Sequence, residues 1–360
     1  MPLQNTRFLD ALAKKPVDRF PLWMMRQAGR YLPDYLEVRK RESDFLKFCY
    51  HVDWVTEVTV QPIDRFGFDA AILFSDILVL PKAMGVNLSI EPVQGPTLYE
   101  AILSQQAVDQ LQTEVQEKTK HVFDAVKSIK NALNGRVPLI GFAGSPWTVA
   151  TYCVDGGSKT GFHVIKKMLY TNPLLLQGLL KKLTDATIIY LIEQIKAGVD
   201  AIQIFDSWGG VLSTDAYAQF SLYPMQQIVN ALKKYCDEHQ KNIPIILFTK
   251  GGGQWLTLLA DTGAQALGLD WTVDLAFARQ AVGKQVALQG NLDPAVLLST
   301  PSAIGDEVRR ICQAAGSAPG FIFNLGHGID RATPVDNVQA LVEAVHTFGK
   351  VDPRKAVDAR

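Results

Sequence analysis

The feature that most restricts this chain is an alternation. Eight short apolar runs, at residues 20–25 (FPLWMM), 69–75 (DAAILFS), 137–143 (VPLIGFA), 201–206 (AIQIFD), 243–249 (IPIILFT), 265–269 (QALGL), 285–290 (QVALQG) and 320–325 (GFIFNL), are separated by longer stretches of helical periodicity. Such runs, joined by crossover helices, are the pattern of parallel strands covered on both faces. The clearest helix is predicted over 173–197. After Asn172-Pro173 its apolar residues fall at Leu176, Leu179, Leu180, Leu183, Ile188, Leu191, Ile192 and Ile195, and Gly198 ends it. Eight strands alternating with helices predict a (β/α)8 barrel, and an open doubly wound sheet is the other arrangement with the same alternation.

At 360 residues and 48% hydrophobic, the chain can bury a large core without disulfides or metals. No Gly/Ser/Pro-rich linker, repeat or low-complexity tract divides it, so one domain over 1–360 is expected. The 36 basic and 36 acidic side chains cancel, and no global field favours nucleic acid or a membrane surface. Cys49, Cys153, Cys236 and Cys312 lie far apart and form no CxxC pair, which reads as four buried free thiols. The N-terminus lacks the apolar stretch of a signal peptide and no 18-residue apolar run occurs, so a cytoplasmic protein is expected.

On a barrel, chemistry gathers at the carboxyl ends of the strands. The eight runs lead into Arg26, Asp76, Gly144-Ser145, Asp206-Ser207, Lys250, Asp270, Asn291 and His327. Arg26 and Arg30 are four apart, so a helical turn would put both guanidinium groups on one face, with Arg39 and Lys40 following. Their mutual repulsion calls for a partner, either Asp34, Glu37 or Glu42, or an anionic ligand that accepts forked hydrogen bonds. Between them, Gln27, Ala28 and Gly29 are small or uncharged, and Gly29 would let backbone approach a ligand. Asp76 is a lone carboxylate between two apolar runs. It either caps a turn, pairs with an arginine, or accepts from N–H donors of a ligand.

The remaining candidates each carry two readings. Ser145 and Pro146 suit a helix start whose free N–H groups form an anion site, while Trp147 and Tyr152, further along, suit packing or a pocket wall. Gly156-Gly157-Ser158-Lys159 reads as a loop able to contact phosphate or carboxylate. Ser207 could bond a substrate carboxylate or simply shape a turn with Asp206. Lys250, before three glycines, fits a Schiff-base lysine or a plain anion contact. His327, between two glycines, could donate to a carboxylate, relay protons, or bond to backbone. HxC, HExxH, GxGxxG and GxxxxGK[ST] are all absent, which disfavours metal, nucleotide and dinucleotide.

Two stretches, WMMRQAGRYLP and GFAGSPWTVATY, resemble the signature segments of the uroporphyrinogen decarboxylase family. The similarity continues through Ile72 to Leu78, Gln203 to Gly210 and Asn324 to Ile329, nearly the whole chain. One departure is Asp155, where the family pattern has glutamate. The resemblance implies a distorted (β/α)8 barrel that forms a homodimer with facing clefts and uses no metal or prosthetic group. It implies conversion of uroporphyrinogen III to coproporphyrinogen III by removal of acetate carboxyl groups. Carried over residue by residue, it makes Asp76 the acceptor for pyrrole N–H groups. Arg26, Arg30 and Arg39 would meet substrate carboxylates or supply protons, and Tyr152, Ser207 and His327 would complete the pocket. Arg26 and Asp76 are the expected catalytic pair. The rival readings are a zinc-using methyltransferase of the same superfamily, opposed by the missing HxC motif, and a non-catalytic tetrapyrrole carrier.

Overall fold

The computed structural model describes residues 2–91, 95–158 and 161–351. Its main sheet has seven parallel strands: β1 (Ala71–Ile72), β4 (Leu139–Gly144), β5 (Ala201–Asp206), β6 (Ile245–Thr249), β7 (Ala266–Gly268), β8 (Ala287–Leu292) and β9 (Phe321–Leu325), neighbouring one another in that order. Each coincides with an expected run to within a few residues. Strands β4, β5, β6, β7, β8 and β9 are buried along their whole length apart from Phe142. That is the consequence of helices on one face and a filled interior on the other. A two-stranded antiparallel hairpin, β2 (Leu88–Glu91) and β3 (Gly95–Leu98), was not foreseen. The helix Pro173–Ala197 forms as expected, with the Asn172 side chain accepting from Leu175 N and Gly198 closing it at φ 115°.

The sheet curls. Gln289 on β8 donates to Gln203 on β5 at 3.1 Å, although two strands lie between them in the sheet. Trp23 Nε1 donates to the same Gln289 at 2.8 Å. One buried cluster collects Trp23, Met25, Ala70, Ile140, Ala201, Phe205, Ile246, Phe248, Ala266, Ala287 and Ile322, drawn from all around the curl. Phe8, Ala11 and Leu12 of the short helix Arg7–Leu12 belong to it as well.

The first expected strand, 20–25, does not join the ladder. It makes only an isolated parallel bridge, Leu22 to Phe323. The cause is local: Pro21 has no N–H, Leu22 N donates to the Asp69 carboxylate, Met24 N to Gln27 Oε1 and Met25 N to Asn324 Oδ1. Side chains take the donors a ladder would use. The segment nonetheless touches both ends of the sheet, since Phe323 N donates to Pro21 O at 2.9 Å and Asp69 N to Leu22 O at 2.8 Å. Asp69 is 1% exposed and also holds Arg19 through two hydrogen bonds of 2.7 and 2.8 Å, and Asn5 at 2.8 Å.

Candidate active site

The arginine segment leaves the sheet edge under tight control. Asn324 Oδ1 accepts from Met25 N at 3.0 Å, and Met25 O accepts from Ile329 N at 3.1 Å. The next residue, Arg26, has φ 63°, a left-handed conformation that costs a non-glycine residue roughly 1–2 kcal/mol. No residue of 25–31 is helical, so the helical turn expected to align Arg26 with Arg30 is absent; the helix begins only at Pro33. Gly29 is required by the turn itself, because a Cβ there would lie 2.9 Å from Arg26 O. Gln27 is no spacer either. It is 1% exposed, donates to Ala70 O at 3.2 Å and accepts from Met24 N at 3.1 Å, tying the turn to the start of β1.

The carboxylates that could have neutralised the arginines are engaged elsewhere. Asp34 pairs with Arg65 at 2.8 Å, Glu37 with Lys40 at 2.5 Å, and Glu42 accepts from Asp44 N at 2.8 Å. Among the described residues neither Arg26 nor Arg30 forms an ion pair, and both are exposed. Arg39 ends the helix Pro33–Arg39, lies over the rings of Phe45 (5.4 Å) and Phe48 (5.1 Å), and donates to Ser43 O at 3.0 Å. Phe45 and Phe48 both pack on Phe74, at 5.8 and 5.7 Å, so the wall that carries Arg39 adjoins the strand exit that carries Asp76.

Asp76 is half-buried and, among the described residues, its side chain accepts one hydrogen bond, from Leu78 N at 2.8 Å. It pairs with no cation among the described residues. Loss of solvent raises its carboxyl pKa above the usual carboxylate value, while the Leu78 N–H and the charge of Arg26 pull the other way. The turn-capping reading therefore accounts for one oxygen and the arginine-pairing reading for none. Tyr152 is half-buried, and its hydroxyl accepts from Trp208 Nε1 at 3.3 Å. Burial pushes that phenol up, and the charges of both Asp76 and Arg26 reach it. Ser207, half-buried, follows β5 and precedes Trp208.

The loop of His327 lies against Arg26. A Cβ on the adjacent Gly328 would sit 2.3 Å from Arg26 Cδ, so glycine is what lets the arginine stem cross this loop. The imidazole pKa falls to about 4, first by burial, then by the charges of Arg26 and Lys250, with Asp270 opposing. At neutral pH the ring is uncharged.

Other candidates turn inward. Asp206 is fully buried and accepts from Ser145 (2.6 Å), Ser221 (2.7 Å), Thr148 (2.8 Å) and Thr249 (3.4 Å) hydroxyls. Burial raises its pKa against those four donors. It builds the wall rather than facing the mouth. Ser145 caps the helix Pro146–Asp155 by accepting from Thr148 N at 3.0 Å, as expected, but it is fully buried and the expected open anion site at that end is not formed. Trp147 is buried and donates to Trp208 O at 3.0 Å, which is the packing reading. Asp155, the family departure, accepts from Val164 N and Ile165 N at the start of the helix His163–Thr171. Lys159 lies outside the described residues. The four cysteines are buried and free. No group of three or more metal-ligating side chains occurs among the described residues.

Two participants escaped the sequence reading. Trp208 touches Tyr152 from the β5 exit, and Asn324 clamps the arginine segment from β9. Both stand in stretches already singled out, DSWGG and NLGHG, as an indole and an amide beside the chosen residue.

Fold and site together describe an α/β protein whose curled parallel sheet brings the charge of Arg26 to bear on the desolvated carboxylate of Asp76. The family model described as uroporphyrinogen decarboxylase matches residues 3–348, and the chain belongs to that family. A uroporphyrinogen decarboxylase of Chromohalobacter salexigens is 51% identical over 348 residues, covering 96% of this chain and 98% of that one. That of Cellvibrio japonicus is 51% identical over 347 residues, covering 96% and 97%. Among solved structures, a methyltransferase from Methanosarcina mazei shares the fold with TM-score 0.79 at 22% identity, covering 97% of this chain and 99% of that one.

Proposed function

We propose that this chain removes the acetate carboxyl groups of uroporphyrinogen III, leaving methyl groups and giving coproporphyrinogen III and CO2, a step of porphyrin and haem biosynthesis. The observation that carries the reading is a desolvated Asp76 within reach of the Arg26 charge, with neither group in an ion pair among the described residues. Family membership supplies the substrate class.

A pyrrole can be its own electron sink. Protonating the ring α-carbon next to the one that bears the acetate arm gives a cationic ring conjugated with that arm; the C–CO2 bond electrons flow into it as CO2 leaves, forming an exocyclic methylene, and a second proton on that methylene carbon gives methyl. One proton is returned when the ring regains neutrality, so each acetate consumes one proton overall. The protein must stabilise a transient cation and hold an anion still. Asp76 suits the first of these roles, since pyrrole N–H donors would satisfy its free oxygen and its charge would offset the ring cation. Arg26, Arg30 and Arg39 suit the second, each charge-assisted contact contributing about 1.5–3 kcal/mol. Arg26 organises or supplies the proton at the reacting arm. Tyr152, Ser207 and the neutral His327 complete the polar lining. In this reading 20–25 is the eighth stave, closing one (β/α)8 barrel domain over 1–360, and the protein is a cytoplasmic homodimer.

The test is anaerobic incubation of the purified chain with uroporphyrinogen III, with and without chelator, resolving hepta- to tetracarboxylate products. Stepwise loss of carboxylates in both arms is expected. Undiminished uroporphyrinogen would overturn the reading and favour a carrier; loss of turnover only with chelator would favour a metal-dependent chemistry.

A further inference from the structure

The arginines, Asp76 and His327 are one group of polar residues at the strand exits. Lys250, whose charge also reaches His327, is a further one. The segment 20–25, which leads to Arg26, bonds to both ends of the seven-stranded sheet, and β6, which leads to Lys250, is the middle strand of the seven. Arg26 and Lys250 thus emerge from opposite sides of the curl.

The backbone of Lys250 is pinned. Its N–H donates to Asp206 O at 3.1 Å and its carbonyl accepts from Gly210 N at 3.0 Å. A Cβ at Gly210 would lie 2.4 Å from that carbonyl, so only glycine permits the contact. The side chain, by contrast, is uncommitted. It is half-buried, its ammonium lies 5.8 Å from the Trp208 ring and 5.3 Å from the Trp271 ring, and among the described residues it makes no ion pair or hydrogen bond. The neighbouring carboxylate, Asp270, is spent: one oxygen accepts from Gly251 N, the other from Thr272 N and Oγ1. A compact point charge held by two indoles, with the neighbouring Asp270 engaged by Gly251 and Thr272, is a cation kept for an anion from outside. Trp208 also donates to Tyr152, which places the lysine next to the proposed pocket lining.

We infer that Lys250 is a further substrate-binding residue, taking a peripheral carboxylate of the tetrapyrrole across the mouth from the arm held by Arg26. The inference rests on the reading proposed above. It assigns the lysine affinity and register rather than chemistry: a macrocycle anchored at opposite rims can bring successive arms to Asp76 and Arg26 in a fixed orientation. No covalent step is involved.

The test compares wild type, Lys250→Met and Lys250→Arg. Methionine keeps an unbranched stem between the indoles and removes only the charge. Equilibrium binding of uroporphyrin, the oxidised macrocycle with the same carboxylates, is followed by fluorescence, and steady-state turnover of uroporphyrinogen III is measured anaerobically. Lys250→Met is expected to weaken uroporphyrin binding about tenfold and to raise KM by a similar factor with kcat within about threefold; Lys250→Arg recovers most of both. Binding and KM within twofold of wild type in Lys250→Met would overturn the inference, as would a loss that arginine fails to recover or one confined to kcat. The two ideas fail separately: a weakened Lys250→Met beside a wild type that binds but releases no CO2 upholds the lysine contact and sinks the decarboxylase.

Discussion

Replacing Gly328 with alanine displaces Arg26 without removing a charge. The Cβ would lie 2.3 Å from Arg26 Cδ and 2.8 Å from Nε. Carbon atoms rest about 3.5–4.0 Å apart, so the arginine stem must retreat by roughly 1 Å or more. The retreat is inexpensive for folding, because Arg26 is exposed and Gly328 is not in the left-handed region. Stability should change by about 1 kcal/mol or less. Turnover should not be spared: a misplacement of about 1 Å in a positioning group costs on the order of 100-fold. The assay is kcat/KM for uroporphyrinogen III under anaerobic conditions, paired with urea denaturation. Gly305→Ala, where the Cβ meets nothing within 4 Å, is the control and should match wild type in rate. A Gly328→Ala protein that folds and keeps full kcat/KM would refute the claim that the position of Arg26 matters.

Asp76→Asn should bind uroporphyrin within a few-fold of wild type yet lose roughly 100- to 1000-fold in kcat. The amide still accepts N–H bonds, but a charge about 4 Å from a cation is worth about 4 kcal/mol at the effective dielectric of such sites; near-normal kcat would contradict the assigned role. Asp69→Ala should destabilise by about 3–5 kcal/mol in urea denaturation, because it strands a largely buried Arg19 and frees the Leu22 N–H. A change under about 1 kcal/mol would show that the segment 20–25 is held mainly by its apolar side chains. His327 contributes a signed pH dependence. Its folded pKa is lowered from 6.5 to about 4, so between those values the unfolded chain takes up a proton that the folded chain does not. Stability attributable to this ring therefore falls as pH drops from about 6.5 to 4, by up to roughly 1.4 kcal/mol per pH unit, and is unaffected above that window. His327→Gln should flatten this part of the denaturation profile; an unchanged profile would place the ring in solvent.

Much of the fold was legible because its strands are buried on both faces and so read as continuous apolar runs. The run AIQIFD matches β5 residue for residue. The segment 20–25 read equally well as a strand yet forms no ladder, since periodicity reports burial and says nothing of which partner takes each N–H. Asp69, Gln27 and Asn324 take them here, from positions 47, 3 and 299 residues away. The same limit governs the site. Arg26, Asp76 and His327 stood out as polar residues ending apolar runs, but the left-handed turn at Arg26 and the inward pose of Asp206 depend on contacts far along the chain. Whether Asp34 or Glu37 would neutralise the arginines was also undecidable in one dimension, because Arg65, the partner of Asp34, lies 31 residues on.

The strand exits around Asp76 should perform decarboxylation and not merely bind the macrocycle. The most direct measurement is CO2 released per macrocycle from acetate-labelled uroporphyrinogen III in an anaerobic single-turnover experiment, with Asp76→Asn alongside. Labelled CO2 approaching one per acetate group is expected for wild type, with formation of coproporphyrinogen III, and release slowed at least about 100-fold in Asp76→Asn. Tight binding of the macrocycle with no CO2 above the protein-free rate would contradict it.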